Sequence, residues 1–233
     1  MVDLTSEMAE LWTALGAPSV GPPRAIQFVA ATAGEGASTV AREFAHFAAR
    51  GARRAVWLVD LDLMNAPQHR AFSAEPGRYG LLGRQSAASP DGSCFFTVQP
   101  PTLSPDGRPW PDARFLVAHP VGGPKLWVTR FRREALQAGQ TPHIAPTADY
   151  WNALKRFAEL IVVDAPALDE AASALTVARN MDQTVLVVAA DADDVAAPAA
   201  AKAAIENAGG RCAGLFYNRA PAPPPRFLRA IIP

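Results

Sequence analysis

Residues 25–50, AIQFVAATAGEGASTVAREFAHFAAR, constrain the fold more than any other stretch, because three local signals follow one another there without a gap. The apolar run 26–31 is short and continuous, and reads as a buried strand. Val40, Phe44, Phe47 and Ala48 then recur at spacings that place them on one face of a helix. Between the two lies GEGAST, Gly34 to Thr39. Its glycines permit a tight turn, and the positive N-terminus of the following helix stands behind that turn. Backbone N–H groups arranged in this way form a cradle for an oxyanion.

Set against the phosphate-loop pattern G-x-x-x-x-G-K-[ST], the stretch keeps two of the four defining positions. Ala31 stands at the first glycine, Gly36 at the second, Ala37 at the lysine and Ser38 at the metal-binding hydroxyl. The lysine of such a loop reaches the β- and γ-phosphates and neutralises charge that develops during transfer. Alanine does neither. Hydrogen bonds to a charged group contribute about 1.5–3 kcal/mol, so the change is expected to weaken nucleotide binding about ten- to hundredfold. Any chemical step is expected to suffer further.

With 233 residues, 49% of them hydrophobic and 19% charged, the chain is long enough for one sizeable core. A formal net charge of zero gives no global attraction for nucleic acid or an anionic membrane. Cys94 and Cys212 are too few for a disulfide framework, which fits a reduced, cytoplasmic setting. The acidic start MVDLTSEMAELW lacks a signal-peptide layout, and no run reaches the roughly 18 apolar residues of a membrane span. A soluble protein that touches a membrane only through a partner is expected.

Residues 5–15 are predicted to form an amphipathic helix, with Ser6 as N-cap and Met8, Leu11, Trp12 and Leu15 on one side. GAPSVGPP over 16–23 breaks it, so 1–23 reads as a helix and linker. Residues 24–219 read as one α/β domain. A second buried strand, 55–61, ends in Asp60 and Asp62, and strand–helix–strand in this order implies a right-handed parallel crossover. The region 74–146, rich in proline, is predicted to be an irregular surface excursion, with short strands at 95–98, 115–118 and 125–131. Alternation resumes with a helix near 147–159, a strand 160–164 and a helix near 169–179. A strand 183–189, an alanine-rich helix 195–208 and a strand 214–218 follow. Ala196, Ala199, Ala200 and Ala203 of that helix are expected to pack in the core. Residues 220–233 read as a proline-rich tail. The fold class is α/β, a P-loop NTPase-like three-layer sandwich with a mainly parallel sheet.

In such sheets ligands collect beyond the carboxyl ends of the strands, and the polar residues of interest fall there. Asp60, Asp62 and Asp164, with the hydroxyl of Ser38, are hard oxygen ligands suited to Mg²⁺. An aspartate at a strand end is also a common helix cap. The conjunction of three such residues with a glycine turn, in this chain order, favours a nucleotide site. His46, His69, His119 and His143 show no zinc-like spacing. Ser38 and Thr39 have no neighbouring base in sequence, and Arg130, Arg132 and Arg133 read as a solvated face.

These motifs together resemble the cytoplasmic domain of the bacterial tyrosine kinases of exopolysaccharide and capsule synthesis, in the deviant-Walker group that also holds the septum-site and plasmid-partition ATPases. GEGAST with the following helix is similar to that family's Walker A motif, and VWLVDLDLMNAPQHRAF to its second motif, including Pro67, His69 and Phe72. VVDAP over 162–166 is similar to its Walker B sequence, and GLFYNRA over 214–220 to the strand near the adenine base. The resemblance implies ATP or ADP with Mg²⁺ as ligands. It implies Gly34, Glu35, Gly36, Ala37, Ser38, Thr39, Asn218 and Arg219 as the nucleotide-binding positions. It implies Asp60 and Asp62 as catalytic carboxylates, and Ser38, Asp62 and Asp164 as metal ligands.

Three features depart from the family pattern. Ala37 replaces the lysine; the oligomerisation pattern, glutamate then arginine three and six residues on, becomes Glu7, Glu10 and Thr13; and no tyrosine-rich tail is present, the tyrosines being Tyr79, Tyr150 and Tyr217. The resulting expectation is a catalytically impaired, pseudo-kinase-like protein acting in polysaccharide synthesis and export. Its implied partner is a membrane-anchored chain-length regulator or co-polymerase, with a homo-oligomer possible and no nucleic acid. The alternatives are an active ATPase or tyrosine kinase, with Arg42 or a partner subunit replacing the lysine, and a partition or positioning protein of the same fold.

Overall fold

The computed structural model describes residues 4–16, 21–104, 106–192, 194 and 196–220. In chain order the first half holds α1 (Thr5–Ala14), β1 (Arg24–Ala30), α2 (Ala37–Gly51), β2 (Ala55–Asp60), α3 (Pro67–Ala74), α4 (Pro76–Tyr79), β3 (Ser86–Ala87), β4 (Phe96–Gln99), β5 (Leu116–Val121) and β6 (Leu126–Phe131). The second half holds β7 (Thr141–Ile144), α5 (Asp149–Lys155), β8 (Ala158–Asp164), α6 (Ser173–Val177), β9 (Gln183–Ala189), α7 (Ala197–Asn207) and β10 (Cys212–Asn218). Eight strands form one sheet in the order β10-β9-β1-β8-β2-β6-β5-β3, parallel from β10 to β6 and antiparallel at β5 and β3.

Alternate residues of the central strands supply two cores, one on each face, which makes three layers. Ile26, Phe28 and Ala30 of β1 meet Val40, Phe44 and Ala48 of α2 on one face. Ala25 and Val29 meet Trp151 and Leu154 of α5 on the other. The amphipathic first helix docks on α2, with Trp12 tilted against Phe44 at a ring-centroid distance of 5.9 Å and Met8 buried. Its N-cap is Leu4, without a side-chain hydrogen bond; the Ser6 hydroxyl donates to Glu7 instead.

Residues 74–146 are not a surface excursion. They give β6 to the parallel sheet beside β2, add β5 and β3 at that edge, and form a separate β4–β7 ladder. Phe95, Phe96, Phe115 and Phe131, all from this region, are buried in the core shared with α5. Most of the prolines sit between these short strands; Pro120 lies within β5 opposite Trp127, and Pro142 within β7 opposite Val98, in a ladder of two strands that are both edges. The helix expected over 169–179 is a turn followed by α6 and one 3₁₀ turn. The tail beyond Ala220, and residues 17–20 of the linker, lie outside the described residues. Among the described residues no helix is long and apolar enough to cross a membrane.

Candidate functional site

The turn between β1 and α2 is held by its own side chains. Gly36, at φ 95°, is the left-handed N-cap of α2, a conformation that favours glycine. A Cβ there would lie 2.2 Å from Asn218 Nδ2. Asn218 reaches across from the end of β10 and donates to the Glu35 carbonyl at 2.8 Å. The buried Glu35 carboxylate points back into the protein and accepts from the N–H groups of Thr32 (3.0 Å) and Ala189 (3.3 Å). Asp169 accepts the N–H of Ala33 at 3.0 Å. The N–H groups of Gly34 to Ser38 make no hydrogen bond among the described residues. Five free donors at the N-terminus of a fifteen-residue helix suit a phosphate group.

Those donors open on a cavity of about 410 Å³ lined by residues 32–39, Asp62, Pro67, Asp164, Glu170 and Arg219, among others. Ala37 is 7% exposed, so the methyl at the lysine position is packed, with no charge at that point. Arg219 is the one described lysine or arginine on the cavity wall. It has φ 58°; its guanidinium donates to the Gly34 carbonyl and pairs with Asp191 at 3.5 Å. Arg42, the expected substitute within the chain, does not line the cavity. It donates to Gln68 Oε1 (3.2 Å) and to the Tyr79 hydroxyl (3.3 Å).

Behind the cavity is a buried polar network. Asp60 and Asp164 are in-register neighbours at the ends of β2 and β8, so their backbones are about 5 Å apart. The Ser38 hydroxyl donates to Asp164 Oδ1 at 3.0 Å. Gln68 Nε2 donates to Asp164 Oδ2 at 2.6 Å and to the Ser38 carbonyl at 2.8 Å. Asp60 accepts the N–H groups of Asp62 and Gln68, each at 3.0 Å. Burial, with Asp164 alongside, holds the Asp60 carboxyl well above the usual range. Burial also pushes Asp164 up to about 6, although Gln68 and Ser38 favour its charged form. Two carboxylates therefore share this corner, and the Arg42 guanidinium, bonded to Gln68 and Tyr79, favours the charged form of Asp164 without offsetting its burial.

Ser38, Thr39, Asp62 and Asp164 all reach the cavity, whereas Asp60 stands one layer back, on Gln68 and the backbone. Asp62 is half-buried and accepts the N–H and side-chain amide of Asn65. Asn218 and Glu35 shape the loop from behind. Among the described residues no three His, Cys, Asp or Glu side chains close into a metal cage. A divalent ion would rest on Ser38, Asp164 and Asp62 with water and phosphate completing its shell, the manner in which Mg²⁺ is commonly held. The sequence reading missed Gln68, Asp169 and Glu170. Gln68, wholly buried, stands on a helix start where a polar side chain normally faces water, so the sequence carried no signal for it.

No protein-family model matches the sequence, and no curated protein matches it. Solved structures do match its fold. The kinase domain of the Escherichia coli tyrosine kinase ETK superposes with a TM-score of 0.57 at 15% identity, over 92% of this chain and 75% of that one. The chimerical protein CapA2B2 gives 0.58 at 18%, over 92% and 83%. A ParA family ATPase from Chlorobium tepidum TLS gives 0.52 at 16%, over 86% and 75%. At these identities the likeness is one of fold, a P-loop NTPase fold shared with bacterial tyrosine kinase domains and ParA-type ATPases.

Proposed function

We propose that the chain is a catalytically impaired, tyrosine-kinase-like P-loop protein that acts as a regulatory or scaffolding component of bacterial exopolysaccharide synthesis and export. Its partner is a membrane-anchored chain-length regulator or co-polymerase. The observation that carries the proposal is Ala37, packed at the lysine position of a loop whose free amides, Ser38 hydroxyl and Asp164 carboxylate stay assembled. The loop amides would hold phosphate oxygens. Ser38, Asp62 and Asp164 would hold Mg²⁺, with Asn218 and Arg219 at the rim. Polysaccharide export as the setting rests on the motif resemblance and on the fold likeness to a tyrosine kinase domain.

Calorimetric titration with Mg-ATP tests the site. The wild-type chain is expected to bind weakly, and Ala37→Lys to gain about ten- to hundredfold. No gain would mean that the rest of the site does not accept triphosphate. Recovery of the chain on the membrane-anchored partner tests the scaffold role, and robust turnover by the wild type alone would overturn the impairment.

Arg219 favours a second reading, an active ATPase in which this arginine supplies the missing charge. Should turnover appear, Arg219→Ala must abolish it; unchanged turnover rules this reading out.

A further inference from the structure

The outer face of β10 is left uncovered by the helix that should cover it. Leu215 and Tyr217 stand beside Leu186 and Val188 of β9 in the sheet register, on the face that α7 packs. Leu186 is wholly buried, yet Leu215 is 47% and Tyr217 61% exposed. The cause is α7 itself. It buries only Ala201 and Ile205, over β9, and its side chains are too short to extend across the edge strand. Ala196, Ala199, Ala200 and Ala203, expected in the core, are exposed. What remains is a groove of about 660 Å³ between α7 and β10, bordered by Pro198, Ala199, Lys202, Cys212, Leu215 and Tyr217.

We propose that residues 221–233 of this same chain dock in that groove, with the proline stretch over Tyr217 and Leu215 and with Phe227 and Leu228 at the Cys212 end. The segment begins where the groove begins: β10 ends at Asn218, Arg219 adopts a left-handed turn at φ 58°, and Ala220 leads into PAPPPRFLRAIIP. Thirteen residues lie beyond Ala220, with a reach of about 40 Å, against about 23 Å for the seven residues of β10. From Ala220 to Phe227 a proline-rich chain spans about 22 Å, so Phe227 falls near Cys212. Prolines cannot extend the ladder at an open edge, but in extended form they pack well on exposed aromatic surface. Phe227, Leu228, Ile231 and Ile232 supply the apolar area that α7 does not. Arg226 and Arg229 flank these anchors. Among the described residues the charges facing the groove are Asp194, whose Oδ1 accepts from Ala196 and Ala197 at the start of α7, and Lys202, which pairs with Glu206.

Cysteine placed singly at Phe227, Leu228, Ile231 and Ile232 in the full chain tests the assignment, since Cys212 lines the groove as a free thiol. Mild oxidation at low protein concentration should give a monomeric disulfide to Cys212 at one or more of these positions, mapped by mass spectrometry, and none in urea. The proposal is overturned by linkage no faster than in urea at all four positions, by linkage to Cys94, or by disulfide dimers alone, which would assign the groove to a second copy. As a second measurement, the full-length double variant F227D/I231D should bind several-fold more of an apolar-surface dye, and a synthetic peptide of residues 221–233 should reverse the gain. Dye binding equal to wild type overturns the proposal.

Discussion

Asp164→Asn is expected to stabilise the protein at neutral pH, although it alters a residue at the centre of the site. Asp164 is 1% exposed, and burial, with the charge of Asp62 adding to it, pushes its carboxyl from the usual 3.8 up to about 6. A folded-state value above the unfolded one means that the associated stability is fully present below about 3.8 and lost as pH rises through about 6. The gap corresponds to about 3 kcal/mol of destabilisation at neutral pH, at about 1.36 kcal/mol per pH unit. Asparagine removes the charge and keeps an oxygen for Gln68. Its NH₂ then faces the Ser38 hydroxyl, which rotates to accept, at a cost of about 1 kcal/mol for the weaker bonds. A net gain of about 2 kcal/mol should raise Tm by about 4–8 °C for a chain of this size. Thermal unfolding at pH 4.5 and 7.5 is the assay. Wild type should be the more stable at pH 4.5, and the variant should show a smaller difference between the two conditions. A lower Tm for the variant at pH 7.5, with wild type equally stable at both, would refute the reasoning. Asp60 shifts in the same direction and leaves a residual pH dependence in both proteins.

Gly36→Ala should cost at least about 1–2 kcal/mol in urea unfolding, since φ 95° strains any L side chain. Adding Asn218→Ala should recover the part due to the 2.2 Å approach of Nδ2 and leave the backbone part. Gln68→Leu strips Asp164 of its 2.6 Å donor. A loss of about 2 kcal/mol is expected, with the acid-side midpoint of the stability profile moving to higher pH. Met8→Ala opens a cavity between α1 and α2 at a site 1% exposed. About 2–3 kcal/mol should be lost, and hydrogen exchange should accelerate over Thr5–Ala14 before the sheet.

The parallel half of the fold was readable because its strands are buried on both faces and appear as unbroken apolar runs. IQFVA, VWLVD and LIVVD each end where a ligand-facing loop begins. The region 74–146 was not readable for the opposite reason. Its strands are four to six residues long apart from the two-residue β3, are mostly separated by prolines, and gain their order from Phe96 of β4 meeting Phe131 of β6, a long-range event with no local period. The alanines of α7 misled because alanine fits either side of a helix; only the position of Ile205 and Ala201 over β9 decides which face is inside. Within the site, strand-end aspartates and the glycine turn were legible. Gln68 was not, because its burial depends on α3 folding back over Ser38 and Asp164.

Charge sets what this site offers an anion. The loop keeps its amides, but Glu35, Asp62, Asp164, Asp169 and Glu170 surround it. The two nearest arginines are committed, Arg42 to Gln68 and Tyr79, and Arg219 to Gly34 and Asp191. A bare triphosphate would meet more negative charge than positive. A lysine at position 37 would have offset Asp164 and the ligand together; without it, a divalent ion on Ser38 and Asp164 is the group that relieves both. The raised affinity of the Asp164 carboxyl for a proton and its suitability for a metal have one origin, a buried charge whose burial outweighs Ser38, Gln68 and Arg42. With alanine at position 37, neutralisation of a bound phosphate would fall to a metal, and the carboxylate pair would be the part of the site that responds most to such a ligand.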